Sequence, residues 1–468
     1  MAGTGGTRRR RIVLAISLVL IAGTGYGVLR VVLFATGKPT ISVDYAAEYN
    51  EQVRPTNYDP NEDAAPGYKE AFALLPAIPN GLNPVAHLWE YDPPSEEYKA
   101  LESWLIACEP AIDLLHGAAA KPYFWSRVAS GDPNLPLSLE NFDFAMLTQA
   151  SHCLRYHAEY LAARGNPAEA SRCIATGLRM AGHLNNAGRE SLVPGQIVEM
   201  IVQRAAFDLL ARTDVDAALL ADMQRHLEEV LAARATPSFR SHAILLRDVI
   251  QKSFTDNGRN DGHVLFHAIR DNFEDRKVPK SELGANLAYL RHFWIAWSHP
   301  SRRETIQTVD RLTEAADQFI KQTPWELHTR GVDLSKRLRE VRGWNPFLQI
   351  AGAETTLTWA IQAHYKNLAS IEALIAVTGI LRFHKDKGVW PANLEELAAA
   401  GYIRKVPMDP YSDKPLVYVR AGDSFILYSC GQDFHDNGGV RSNVGNHSRN
   451  PSAGESDLVF WPVEARKK

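Results

Sequence analysis

Apolar residues three and four positions apart recur along most of this chain and predict a mainly helical protein. The periodic segments are Tyr68 to Leu75, Tyr98 to Leu115, Phe144 to Arg164, Ala168 to Leu184, Pro194 to Arg212 and Val215 to Ala233. Further ones are Ser238 to Phe254, Leu283 to Trp297, Ser301 to Lys321 and Ala353 to Lys385. At Ala162-Ala163-Arg164 the pattern runs into Gly165-Asn166-Pro167, which cannot continue a helix. Pro167 and Glu169 then suit the first turn of a second helix, where the dipole favours an anion, so a helical hairpin is expected.

The N-terminal pattern is different. Arg8 to Arg11 precede Ile12 to Leu29, a run without charge, and Arg30 separates it from a second apolar run, Val31 to Ala35. At 1.5 Å rise, about 18 to 24 such residues cross a hydrocarbon core of roughly 30 Å, with Arg30 snorkelling to the far headgroups. The arginine block keeps residues 1–11 cytoplasmic and sends the bulk across. A cleaved signal peptide with small residues at Ala22 to Gly25 is the rival reading, and it leads to the same compartment. Residues 36–65, rich in Pro, Asn, Asp and Tyr, read as an extended linker leading off the membrane.

Composition narrows the picture by exclusion. A chain of 468 residues with net charge -3, 45% hydrophobic and 22% charged, is too long for one ordinary core and has no basic excess for nucleic acid. The four cysteines, Cys108, Cys153, Cys173 and Cys430, contain no CxxC pair, which argues against a structural zinc site and a disulfide-dense scaffold. Cys153 and Cys173 are either bridged across the hairpin or buried as free thiols. HExxH, GxSxG, P-loop and GxGxxG signatures are absent. His157, His183, His226, His242 and His364 each fall on an expected helix without metal-ligand spacing, and Trp104, Trp125, Trp294, Trp297 and Trp359 suit a core or groove. The loop Asp256 to Gly262 has Gly258 where an EF-hand needs an oxygen donor, so it reads as a solvated loop.

Towards the C-terminus the pattern turns from helices to strands. A helix ending at Lys387-Gly388 is followed by a short one at Leu394 to Ala400, with Asn393 as its cap. Leu416 to Arg420 and Phe425 to Tyr428 form a hairpin around Ala421-Gly422-Asp423, and Asp457 to Phe460 adds a third strand. Asp433, Asp436 and Asn437 then share one Gly-rich turn whose oxygens could serve calcium, although on these residues alone an ordinary Asx turn is the preferred reading.

Two resemblances add to this. The hairpin at Gly165 to Ala170, with small residues at Ala162, Ala163, Ala175 and Gly177, looks like one tetratricopeptide repeat, without a recurring period; a helical bundle is the simpler alternative. More extensively, Leu381 to Pro391, Val406-Pro407-Met408-Asp409-Pro410-Tyr411, Pro415 to Tyr418, Leu427 to Asp433 and Asp457-Leu458 together resemble the globular domain of type II secretion major pseudopilins. That resemblance implies a calcium site using Asp433 and Asp457, to which the oxygen-bearing residues of the turn add Asp436 and Asn437. The insertion Val440 to Glu455 and the long separation from the membrane helix depart from the family pattern, so it implies a borrowed fold rather than pilus assembly.

The expected architecture is therefore a transmembrane helix at 12–35, a linker at 36–65, an all-α domain at 66–365 and a small α+β domain with a short antiparallel sheet at 366–468. The expected protein is a single-pass, extracytoplasmic or periplasmic binding or scaffold protein of the cell envelope, partnered by the membrane and another envelope protein. The alternative is an exported hydrolase with an unadvertised site in the helical domain. Catalytic residues are not assigned.

Overall fold

The computed structural model describes residues 5–463 apart from 81–82, 84–85, 94, 130–137, 140–143, 187–188, 257, 260, 267, 269–289, 292–293, 296 and 442–456. It is mainly α with a small C-terminal α+β part, as the periodicity predicts. Helix α1 (Gly5–Thr36) has apolar side chains from Ile12 onward that are mostly exposed. It is long and apolar enough to span a membrane or to be a signal sequence. Its last turn enters the folded body, where Phe34 packs edge-on against Phe266 at 5.4 Å.

The stretch expected as an extended linker is instead folded onto the body. Asp44 caps α2 (Tyr45–Val53) by accepting from Ala47 N at 3.0 Å. Tyr45 and Tyr49 are buried with Ile244 and Leu245 of α9 (Arg240–Ser253). Gln251 holds the segment that precedes α2 by accepting from Ser42 N and Val43 N. Tertiary burial of two tyrosines outweighs the weak local pattern, a common outcome for short helices.

The main helical layer contains α3 (Ala65–Leu74), α4 (Glu96–Ala119), α5 (Phe144–Ala163), α6 (Pro167–Asn186), α7 (Arg189–Arg212) and α8 (Ala217–Ala232). The α5–α6 hairpin turns at Gly165, whose φ of +76 an L side chain rarely adopts. A second helical group is formed by α9, α10 (Arg302–Phe319), α11 (Pro324–Thr329), α12 (Leu334–Arg342) and α13 (Pro346–Ile350). The long α14 (Ala353–Lys387) joins the two: Leu357, Ile361 and Tyr365 belong to the core around α9 and α10, while Ile371, Leu374 and Ile380 belong to the core around α3 to α8.

After α15 (Leu394–Ala399) come a two-stranded pair, β3 (Met408–Asp409) with β4 (Lys414–Pro415), and an antiparallel sheet ordered β5 (Val417–Ala421), β6 (Ser424–Ser429), β7 (Leu458–Trp461). A further pair, β1 (Val128–Ala129) and β2 (Ser138–Leu139), links the α4–α5 connection. The inner face of the sheet carries Phe425, Leu427 and Trp461 into the same core as α3 to α8, and Phe460 stacks on Phe207 of α7 at 5.9 Å. The division expected at residue 365 thus falls inside one continuous helix, at the point where that helix passes between cores. The sheet's core is continuous with that of the helices, because a three-stranded sheet this small cannot bury a sufficient apolar area alone.

All four cysteines are free and buried, so the bridging alternative for Cys153 and Cys173 is not realised. Trp104 is a core residue that donates to Pro76 O at 3.0 Å. Trp294 and Trp297 are not core residues: they are 58% and 38% exposed.

Candidate functional site

Three polar constellations stand out. The first was not foreseen, and its His87, Arg155, Glu159 and Asp208 are buried while Arg204 is half-buried. Arg155 and Glu159 lie one turn apart on α5, Arg204 and Asp208 one turn apart on α7, and His87 arrives on the α3–α4 connection. His87 Nδ1 is 2.8 Å from Glu159 Oε1 and 3.5 Å from Asp208 Oδ2. Arg155 Nη1 donates to Glu159 Oε1 at 2.9 Å, and Arg204 Nε donates to Asp208 Oδ2 at 3.2 Å. Leu88 N donates to Glu159 Oε2 at 2.7 Å, fixing the connection to α5. Trp89 stacks on the imidazole at 4.4 Å, and the Arg212 guanidinium covers Trp89 at 3.9 Å.

Among the described residues, His87, Glu159 and Asp208 are the one group of metal-ligating types whose donor atoms converge closely. Burial pushes the Asp208 carboxyl above its ordinary value, against the pull of Arg204 and His87. The two arginines already balance the two carboxylates. A divalent cation would therefore leave excess positive charge in a water-poor site, a costly arrangement. The donor types suit a metal but the charge balance does not, and the cluster reads as a buried ionic staple between the α3–α4 connection, α5 and α7. The available sequence signal was the pair of arginine–acid i,i+4 spacings inside otherwise apolar helix faces.

The second is a cleft of about 360 Å³ between the C-terminal end of α4 and helices α6, α7 and α8. Glu199 of α7 lies at its floor, paired with Arg234 and accepting from Asn185 Nδ2 at 3.0 Å and Gln203 Nε2 at 3.1 Å. Asn367 of α14 reaches the same carboxylate at 3.4 Å and donates to Gln196 O at 2.9 Å. His183 lines the wall: its Nε2 lies 2.9 Å from Lys121 O, which can only accept, so Nδ1 accepts from the Tyr68 hydroxyl at 2.8 Å. Lys121, Arg179 and Glu229 complete a mixed-charge rim. Every described carboxylate at the floor is paired, so the cleft offers hydrogen bonding and charge complementarity rather than a poised base.

Burial also sets the titration of the histidines on these helices. His183 is depressed to about 4 by desolvation, and His364 of α14 to about 3 by desolvation and the nearby Arg234. Both are neutral when folded, while the unfolded chain titrates near 6.5. Below that pH the unfolded state binds protons that the folded state refuses, so this stability is complete above about 6.5 and is lost as pH falls towards the folded values. Denaturant midpoints should drop steadily between pH 6.5 and pH 4, and His364→Gln should flatten part of that slope. A midpoint independent of pH across this window would contradict the assignment.

The third constellation contains the sequence-predicted residues, which the fold does bring together. Asp457, at the start of β7, accepts from Asn437 N at 3.2 Å, Gly439 N at 2.7 Å and Val440 N at 3.1 Å. Asp436 accepts from the Tyr428 hydroxyl at 2.8 Å and Gly438 N at 2.9 Å, and Asp433 accepts from Asn437 Nδ2 at 2.8 Å. Burial raises the Asp457 carboxyl although the three amides oppose it. Asp433, Asp436, Asn437 and Asp457 are the right oxygen-bearing types for calcium, yet the three carboxylates accept from protein donors and do not gather into one close group. The insertion Val440 to Glu455 lies largely outside the described residues. The loop at Asp256 contributes an ion pair to Arg302 at 3.5 Å.

A residue that sequence reasoning quoted without assigning a role anchors this end of the protein. Asp409, 1% exposed, accepts from Ser429 Oγ at 2.7 Å, Cys430 N at 2.9 Å, Tyr411 N at 3.0 Å and Ser412 Oγ at 3.1 Å. It ties β3 and its turn to the end of β6.

Compared with known proteins, the chain matches no family description, no curated protein and no solved structure at a significant level.

Proposed function

We propose that this chain is a membrane-anchored binding or scaffold protein of the cell envelope, with α1 as a single span and the folded body on the extracytoplasmic side. The observation that carries the reading is the contrast within α1: the most apolar part of Ile12–Thr36 is 6% buried, whereas its end is locked into the body by Phe34. An exposed apolar rod continuous with a folded domain calls for a lipid environment. Binding rather than catalysis is favoured by the cleft, whose floor carboxylate Glu199 is neutralised by Arg234 and three amide side chains. Another envelope protein is the proposed partner.

The pseudopilin-like reading of the terminal part is supported by the order of a long helix, a short helix and a three-stranded antiparallel sheet. Calcium enters the proposal on residue type alone, through the loop of Asp433, Asp436, Asn437 and Asp457.

Two experiments test this. In spheroplasts of an expressing bacterium, added protease should digest the body; a body that survives until lysis would reverse the orientation. For calcium, the detergent-solubilised full chain should melt at a higher temperature with calcium than with magnesium, and Asp433→Ala should abolish the difference. Equal melting in both ions would remove calcium from the proposal.

A further inference from the structure

We propose that the face formed by Leu290, Trp294 and Trp297 is a second membrane contact, lying where the hydrocarbon meets the headgroups of the leaflet next to the body. This rests on the membrane-anchored reading above and adds a lipid-binding surface far from α1 in sequence.

The three residues are spaced as one helix face, at i, i+4 and i+7, and are 66%, 58% and 38% exposed. Ile295, on the opposite face, is 3% exposed and belongs to the core around α9 and α10. At the described positions, Leu290, Trp294 and Trp297 are thus turned away from the core that holds Ile295.

What covers that face follows from its neighbour. Trp297 packs edge-on against Tyr26 of α1 at 6.2 Å. It also lies so close to the α1 backbone that a Cβ on Gly27 would collide with the indole ring. Arg30, one turn further on, donates to Trp297 O at 2.5 Å and His299 O at 3.0 Å, a cation on the last carbonyls of the segment.

Depth along α1 follows from helix geometry. From Ile12 to Arg30 the helix rises about 27 Å, close to a hydrocarbon thickness of roughly 30 Å. Arg30 thus marks the far boundary, and Tyr26 with Trp297 sits about one turn inside it. Indole rings concentrate at that level because they join a large apolar surface to one polar N–H. The expectation that Arg30 would reach freely to the headgroups changes accordingly: it clamps the Trp segment to the span, and the indoles occupy the interface.

The test uses the full chain in vesicles of phosphatidylcholine and phosphatidylglycerol, with nitroxides on single introduced cysteines. The four native thiols are buried, which favours selective labelling of the new sites. Labels at Trp294→Cys and Leu290→Cys should collide with lipid-soluble oxygen several-fold more than a label at Glu97→Cys, an exposed position in the first turn of α4, and less than one at Val19→Cys in mid-span. A Val19 label deep in the bilayer with Trp294 and Leu290 labels as aqueous as Glu97 would overturn this inference and leave the anchor standing. An aqueous Val19 label would overturn both. Gly27→Leu should raise water access at Trp294 by displacing Trp297, while Val19 stays deep.

Discussion

Replacing Glu159 with Ala should destabilise the protein by about 3–5 kcal/mol, the range for breaking a buried ion pair from one side. The carboxylate is 3% exposed and serves three partners at once: His87 at 2.8 Å, Arg155 at 2.9 Å and the Leu88 amide at 2.7 Å. Its removal leaves the Arg155 guanidinium, 4% exposed, without its principal countercharge and frees the α3–α4 connection from α5. Glu159→Gln, which keeps an acceptor for Leu88 but not the charge, should lie between wild type and Ala. The double variant Arg155→Met/Glu159→Met should cost clearly less than the sum of the single changes, because each removes the other's liability. Denaturant unfolding of the solubilised chain reads each of these values. A loss below about 1 kcal/mol for the Ala variant would mean that the cluster contributes nothing to the fold.

Asp409→Ala should be of similar size and confined to the other end of the molecule. Four donors converge on this carboxylate, two of them backbone amides that have no water to turn to. Hydrogen bonds to a charged acceptor contribute about 1.5–3 kcal/mol each, and orphaned buried donors carry a desolvation cost, so a loss above about 3 kcal/mol is expected. Asp409→Asn should recover only part of it, since its amide group would place new donors opposite the existing ones. Amide hydrogen exchange at Tyr411 and Cys430 should accelerate in both variants. Unchanged exchange there, with an unchanged unfolding midpoint, would show that the β3 turn is held by something else.

Helix positions were legible because the main helices are amphipathic and carry local end signals. Asn393 was expected to cap α15 and does, accepting from Glu396 N at 2.8 Å. Lys387-Gly388 was expected to stop α14, and Gly388 does so at a φ of +71. The hairpin strands shift by a single residue from their expected bounds. Information failed where distance along the chain grew. His87 meets Glu159 across a separation of 72 residues, and nothing in its Pro- and Asn-rich surroundings marks it as buried. Trp294 and Trp297 share the apolar pattern of a core helix, and only the placement of α1 beside them decides which way they face. In the candidate calcium loop the residues and their proximity were readable, but the direction of each lone pair was not, because it depends on the amides of Gly439 and Val440 reaching Asp457 across the insertion.

The course of α14 through both cores has a practical meaning for anyone dividing this protein. A fragment starting at residue 366 would begin halfway along a rod, stripped of the helices that cover its sheet; the complementary piece would lose the wall against which α7 and α8 rest. Gene fusions and tags therefore belong outside that rod, since a cut within it would divide side chains between two cores that it joins.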